Sequence, residues 1–284
     1  VKHSLASIFI CPGCGSKLSL IVERKTGDRI HKGRLFCEKC KQSFEIVDDI
    51  VLFKKLKEKD KDKKKIKEME KLFLGPELRK VWYEHFPGKE LSLLKKEWDF
   101  MIENLNLPKS KIHLDWATGT GRFLRNILDK AGTEIVAMDF GYANCLGLQK
   151  FLKKIGKYSK VTIVCGDARK IFLADNSIDS ISSWHGLDEP NIEKALEESM
   201  RILKKSGRIA LAGLLYDKGS ESLKLAKKAG IQFAEKDKAY NYIKKIGFRN
   251  IKYKEFSRMK EKTNQNYIPK RGDYSTSYVI FAIK

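Results

Sequence analysis

The sequence predicts an α/β fold of the doubly wound kind: a mainly parallel sheet with helices on both faces, preceded by a small β-rich module. Three observations carry this. From Lys111 onward, short apolar runs alternate with stretches of helical periodicity. A turn of small residues, Ala117 to Gly121, follows the first of those runs. Ahead of both, residues 1–53 hold two close cysteine pairs among short β-like runs.

The chain has 284 residues, room for a domain of ordinary enzyme size and a small module. A hydrophobic fraction of 42% argues for a packed core and against global disorder. The net charge is +22, of which the Lys54–Lys71 stretch, with ten Lys against five acids, explains only +5. The remaining charge lies over sequence of folded texture, and a field of that sign attracts polyanions such as RNA; a Lys-rich, solubilising surface is the plainer reading. No apolar run approaches the roughly 20 residues that span a bilayer. No signal-peptide pattern is seen. A cytoplasmic protein without a membrane partner is expected, and the sequence does not set its oligomeric state.

In the module, Ile8-Phe9-Ile10 leads into Cys11-Pro12-Gly13-Cys14. Strand-like runs follow at 18–23, 34–36 and 44–47, with Cys37-Glu38-Lys39-Cys40 between the last two. Two Cys-x-x-Cys turns 22 residues apart present four thiolates, a donor set that suits tetrahedral Zn²⁺ with no open position for a reactive water. Iron in the same ligands, or a redox pair, are the alternatives. So small a segment gains from a metal staple. His31, between the pairs, reads as a surface residue. Cys145 and Cys165 sit in apolar surroundings and read as core thiols. The module resembles small zinc-ribbon proteins that activate nucleic-acid and protein methyltransferases, with Phe44, Ile46, Asp48 or Asp49, and Ile50 in their recurring tail. That resemblance implies a substrate-docking role.

Residues 54–71 read as a charged linker and 72–284 as the second domain. Pro76 suits the first turn of a helix. Trp82, Tyr83, Leu94, Trp98 and Met101 fall at helical spacing. Strands are then expected at 111–116, 134–139, 161–165, 177–183 and 208–214. Helices are expected at 122–131, 143–155 and 192–203. After them come helices at 220–230 and 236–246 and two late strands, 248–257 and 276–283, making seven strands.

Asp115-Trp116-Ala117-Thr118-Gly119-Thr120-Gly121 closes the first strand and opens a turn onto a helix, whose first amides face a ligand. Twenty residues after Gly119, Asp139 ends the second strand, where a carboxylate can take both hydroxyls of a ribose. A dinucleotide enzyme shares these features, but its fingerprint wants a third small residue where Leu124 stands. The stretch instead resembles the acidic-x-small-x-Gly-x-Gly signature of the S-adenosylmethionine-dependent methyltransferases, with Ala117 in place of the commoner first Gly. Val164-Cys165-Gly166-Asp167-Ala168, Ser177-Ile178-Asp179-Ser180-Ile181 and the helix and turn Ala195 to Arg208 resemble later motifs of that family in order, as does Gly247-Phe248. The resemblance implies S-adenosylmethionine as cofactor. Asp115, Ala117, Gly119 and Gly121 would lie at its methionine end and Asp139 at the ribose, with Phe140 also against the cofactor. Asp167 and Ala168 would meet the adenine, and Trp184 would stack on the cofactor or on a base. Asp139 as a surface acid and Asp167 as a helix N-cap are the plainer alternatives.

His185, in the loop after the fourth strand, is the one candidate general base; a wall or packing role is its alternative. The loop lacks an Asn-Pro-Pro-Tyr type sequence, which weakens a reaction at exocyclic base amines. Ribbon, charge and domain together resemble rRNA guanine methyltransferases, although those carry a His in the ribbon. RNA is therefore the expected acceptor and partner, with the lysine-rich linker and the loop 258–271 (with Tyr267) extending its surface. A small-molecule or protein acceptor, with a purely structural ribbon, is the alternative, and a non-catalytic binding module a further one.

Overall fold

The structure is a computed structural model that describes residues 1–57, 62–64, 66–68, 88–130, 132, 134–262 and 268–284. The expectations at Pro76, Trp82, Tyr83 and Tyr267, and the middle of the charged linker, lie outside the described residues.

Among the described residues, eleven strands form one sheet. β1 (Ser19–Thr26), β2 (Arg29–Phe36), β3 (Ser43–Val47) and β4 (Ile50–Leu52) belong to the amino-terminal module. β5 (Ile112–Trp116), β6 (Glu134–Asp139), β7 (Val161–Cys165), β8 (Ile178–Ser183), β9 (Leu203–Tyr216), β10 (Arg249–Lys260) and β11 (Tyr274–Ile283) follow. Their spatial order is β1-β2-β3-β4-β7-β6-β5-β8-β9-β11-β10. The expected seven-stranded sheet is thus corrected to eleven. The seven strands after residue 111 are present, but β4 pairs in parallel with β7, Ile50 opposite Ile163, and carries the module's antiparallel strands into the same sheet. The strand that joins the two is only three residues long, too short to show a period.

The helices are α1 (Gly88–Leu105), α2 (Leu124–Ile127), α3 (Tyr142–Lys154), α4 (Glu193–Ile202), α5 (Glu221–Lys228) and α6 (Lys238–Lys245). The helix expected at 122–131 shrinks to α2, and β9 runs longer than expected at both ends: Leu203 pairs with Ile178 of β8 at its start, and β11 pairs with Arg208 to Tyr216 at its end. No helix among the described residues is long and apolar enough to cross a membrane.

Strand alternation divides the core in two. Leu114, Trp116, Val136, Met138 and Ile181 point to one face and pack with Phe9, Ile46, Val51 and Phe53 of the module and Leu196 of α4. Ile135, Ala137, Ile163 and Cys165 point to the other and pack with Met101 and Leu105 of α1 and Leu148 of α3. Phe53 stacks on Phe172 at 4.1 Å between ring centroids and lies 5.5 Å from Phe9, so the module and the parallel strands share one aromatic cluster. The chain leaves β5 toward β6 and β7, then returns to β8 and β9 on the other side. The crevice above β5 and β8 is therefore the switch point where ligands bind in such sheets.

Candidate active site

Three strand ends meet at that crevice. After β5 the backbone turns sharply: Ala117, Gly119 and Gly121 all have positive φ, at 52°, 53° and 71°. At Gly121 there is little room for a side chain, since a Cβ there would lie 2.7 Å from Leu148 Cδ1. Above Gly119 the space is open, the nearest atom to such a Cβ being the Ala117 carbonyl oxygen at 3.9 Å. The turn is closed by the Gly121 amide donating to the Thr118 carbonyl at 2.8 Å.

Asp139, ending β6, fixes the turn from the side. Its carboxylate accepts from the Gly119 amide at 2.7 Å, the Gly141 amide at 2.8 Å and Asn144 Nδ2 at 3.0 Å. Two carboxylate oxygens offer about four lone-pair sites, so acceptor capacity remains for a ligand hydroxyl. Next to it Phe140 is 57% exposed, an apolar ring at the rim. Lys54, from the exit of the module, lies 4.1 Å from the Phe140 ring centroid and donates to its carbonyl at 3.0 Å.

Asp115 is buried at the end of β5 and accepts from Ser182 Oγ at 2.5 Å. Burial, reinforced by Asp139, pushes its carboxyl up to about 7 despite that hydrogen bond. Asp167 lies beyond β7, where the Arg169 guanidinium contacts both its oxygens, at 2.9 and 2.7 Å, and the Arg169 amide donates at 2.9 Å. Burial works against the charge there, but Arg169 outweighs it and holds the carboxyl below its usual range. Ala168 packs on the core beside it.

The loop after β8 forms the opposite wall. Trp184 donates its indole N–H to Glu97 Oε1 of α1 at 2.6 Å, and its ring meets Trp98 and His185 edge-on at 5.7 and 4.4 Å. Arg122, from the glycine turn, lies 5.8 Å from the Trp184 centroid and links the two walls. His185 adopts a left-handed φ of 65°, and its Nδ1 contacts Asp188 Oδ2 at 2.9 Å, leaving Nε2 for other contacts. Burial disfavours its imidazolium, yet Asp188 and Glu97 more than offset this and raise the ring's pKa. Glu97 is fully buried; burial raises its carboxyl, and its Oε2 has no partner among the described residues.

Thus Asp115, Ala117, Gly119, Gly121, Asp139 and Phe140 converge on one crevice, with Trp184 and His185 across it, whereas Asp167 and Ala168 sit at its far end. Glu97, Arg122, Asp188 and Lys54 were not singled out from the sequence. Charged residues in lysine-rich or loop segments read as solvent-facing until the fold places them.

In the module, the Sγ atoms of Cys11, Cys14, Cys37 and Cys40 all lie within 4.8 Å of one another. Each pair is presented by a tight turn: the Gly15 amide donates to the Cys11 carbonyl and the Lys41 amide to the Cys37 carbonyl, both at 2.8 Å. His31 stands outside the cluster, bonded to Asp49 and to Thr26. Cys145 and Cys165 are buried as expected.

Residues 114–207 match the family described as a methyltransferase domain. The demethylmenaquinone methyltransferase of Bacillus licheniformis is 30% identical over 118 residues, which cover 40% of this chain and 50% of that protein. The ubiquinone/menaquinone biosynthesis C-methyltransferase UbiE of Bradyrhizobium sp. is 38% identical over 123 residues, or 40% of this chain and 48% of that one. The chain spans about half the length of the curated relatives it matches. Among solved structures, phosphoethanolamine N-methyltransferase 2 of Haemonchus contortus in complex with S-adenosyl-L-methionine superposes with a TM-score of 0.53 at 19% identity. The match covers 67% of this chain and 52% of that chain. The parallel strands therefore have the Rossmann-like methyltransferase fold.

Proposed function

We propose that this chain transfers a methyl group from S-adenosylmethionine to a small planar acceptor in the crevice above β5, β6 and β8. The observation that carries the reading is the open glycine turn, held by Asp139 through the Gly119 amide and flanked by the buried Asp115 and the exposed Phe140 ring. Asp115 suits the cationic methionine end, Asp139 the ribose hydroxyls and Phe140 one face of the adenine. Asp167 can accept from the adenine amino group only alongside Arg169, and Ala168 offers its amide.

The bound cofactor supplies an electrophilic sulfonium methyl, so the chain has chiefly to align the acceptor and exclude water. Trp184 and Trp98 provide an aromatic wall for a flat acceptor. His185, with Nδ1 held by Asp188, can take a proton at Nε2 where the acceptor must lose one. The names of the relatives, which concern quinone precursors, favour a small ring over the RNA expected from charge. RNA stays as a second reading on one observation. Along the edge strand β10, Lys254 lies over Phe100 and Phe256, and Arg258 and Lys260 lie over Tyr274, a cationic and aromatic row suited to unpaired bases.

The four cysteines fit one structural Zn²⁺. Ligands about 2.3 Å from a tetrahedral ion lie roughly 3.8 Å apart, close to the 3.3 and 3.4 Å between Cys11 and Cys40 and between Cys14 and Cys37.

Calorimetric titration of S-adenosylmethionine into zinc-loaded protein, with NAD as control, tests the cofactor. Binding of the first alone is expected, and binding of NAD alone or of neither overturns the reading. Radiolabelled methyl transfer to a reduced naphthoquinone, with unmodified RNA offered in parallel, then decides the acceptor.

A further inference from the structure

The sheet face covered by α1 is largely apolar but carries a polar stripe at its centre. On β5 and β8 the residues turned to that face are His113, Asp115, Ser180 and Ser182, all buried, opposite the apolar Leu114, Trp116 and Ile181 on the reverse side. Buried polar side chains in a central parallel sheet are costly unless joined in a satisfied network, and these are joined end to end. Ser110 Oγ lies 2.8 Å from Ser180 Oγ. Ser180 Oγ lies 2.7 Å from His113 Nδ1, and His113 Nε2 lies 2.9 Å from Ser182 Oγ. Ser182 Oγ reaches Asp115 Oδ1 at 2.5 Å. The chain of contacts therefore runs from the cofactor crevice to the opposite end of the strands. There Ser110 lines a pocket of about 170 Å³ with Asp179 and Lys204.

Each hydroxyl has one proton and the neutral ring one N–H, so the row can be filled in only two ways. If Asp115 is ionised, Ser182 donates to it, His113 donates from Nε2 to Ser182, Ser180 donates to Nδ1, and Ser110 donates to Ser180. If Asp115 is protonated on Oδ1, the oxygen that faces Ser182, every donor reverses: His113 carries its proton on Nδ1, and Ser110 turns to the Asn106 carbonyl at 3.5 Å.

We infer that His113 is a positioning residue for Asp115, and that its ring tautomer switches with the carboxyl's charge as the cofactor binds. In that step the Asp115 O–H bond breaks and its proton passes to Ser182. The Ser182 proton passes to Nε2, the Nδ1 proton to Ser180 and the Ser180 proton to Ser110, whose own proton leaves on the pocket side. Only O–H and N–H bonds change, and one proton enters solvent. The ring stays neutral throughout, because burial holds its pKa down at about 3. Among the described residues the only charged side chain acting on Asp115 is Asp139 of β6, and none acts on His113 from α1, β6 or β8. The ligand side of this inference rests on the proposed cofactor; the tautomer switch in the free protein does not.

The test is ¹⁵N–¹H correlation spectroscopy of the full chain labelled at its five histidines, with His113 assigned by a His113→Asn variant. In the free protein the protonated nitrogen is expected to change from Nδ1 to Nε2 as the pH rises through about 7. Saturating S-adenosylmethionine should move that exchange to lower pH. Ser182→Ala and, should that variant not fold, Asp115→Asn should leave the ring in one tautomer at every pH. A wild-type ring that keeps one tautomer across the range overturns the inference. So does an exchange that bound cofactor leaves unmoved. Failure of the cofactor to bind at all overturns the proposed function instead, while the titration of the free protein still decides the switch.

Discussion

β7 and β1 are both strands of one sheet, yet they are held by different forces. Every residue of β7 is buried, between two parallel neighbours and under side chains on both faces. β1 buries none; among the described residues it pairs with β2 alone, and its Ile21 and Val22 lie open to water. Where side chains are removed from water the apolar effect suffices. Where they are not, as along β1, the module adds four sulfurs that converge in its turns. Function divides along the same line. The crevice is built on the strand ends, and Lys54 at the exit of the module reaches it beside Phe140.

The comparison is broken most severely by removing a sulfur. Binding of structural zinc to such sites contributes on the order of 10 kcal/mol, so Cys37→Ser should undo the module. Because β4 and the Phe53 cluster belong to the common core, thermal unfolding should show one transition at lower temperature. A separate early transition for the module would mean that the shared sheet does not couple them. A truncation sharpens the contrast between the strands: Ile163→Ala in β7 should cost about 2–5 kcal/mol, and Val22→Ala in β1 less than about 0.5, as read by urea denaturation.

At the crevice, Asp139→Ala removes a ligand acceptor and the anchor of the Gly119 amide together. Hydrogen bonds to a charged group contribute about 1.5–3 kcal/mol, so cofactor affinity should fall by at least about tenfold in calorimetry; unchanged affinity removes Asp139 from the site. Asp115 tests the cost of placing a carboxyl on a buried strand end. Its folded pKa of about 7 lies above the unfolded value of about 3.9. Between those values the folded state keeps a proton that the unfolded state releases, so this group's contribution to stability falls as pH rises from about 4 to 7, then levels. Asp115→Asn should flatten that part of the curve of thermal midpoint against pH and raise the midpoint at alkaline pH, while weakening cofactor binding. A small effect of opposite sign is expected at Ala117, whose left-handed φ is unfavourable for a side chain; Ala117→Gly should be neutral to stabilising by about 1 kcal/mol in the same denaturation assay.

Much of this was legible because burial writes a period into sequence. β6, β7, β8 and α3 to α6 lie within a few residues of their expected places, and the cysteine spacing pointed to the sulfur cluster. Other features carry no period. β4 is three buried residues at the end of the module, and its pairing with β7 is set by the fold alone. Glu97 follows two lysines and reads as a solvated helix position until Trp184 closes over it. The His113 stripe did leave a mark, in polar residues at every second place of Ile112-His113-Leu114-Asp115 and Ser180-Ile181-Ser182. A strand buried on both faces is expected to be apolar throughout, and this departure marked the position of the network.

The pairing of β4 with β7 also decides which backbone edges the sheet exposes. A fully buried parallel strand left at the border of a sheet presents unpaired amides and carbonyls to any passing chain. Here that border is sealed, and the outermost strands become β1 and β10, which carry Arg24 and Lys25 at one side and Arg249, Lys252, Lys254 and Arg258 at the other. Charged residues along an edge strand disfavour pairing with another strand, so the amino-terminal strands leave the sheet with a charged margin where β7 would otherwise stand.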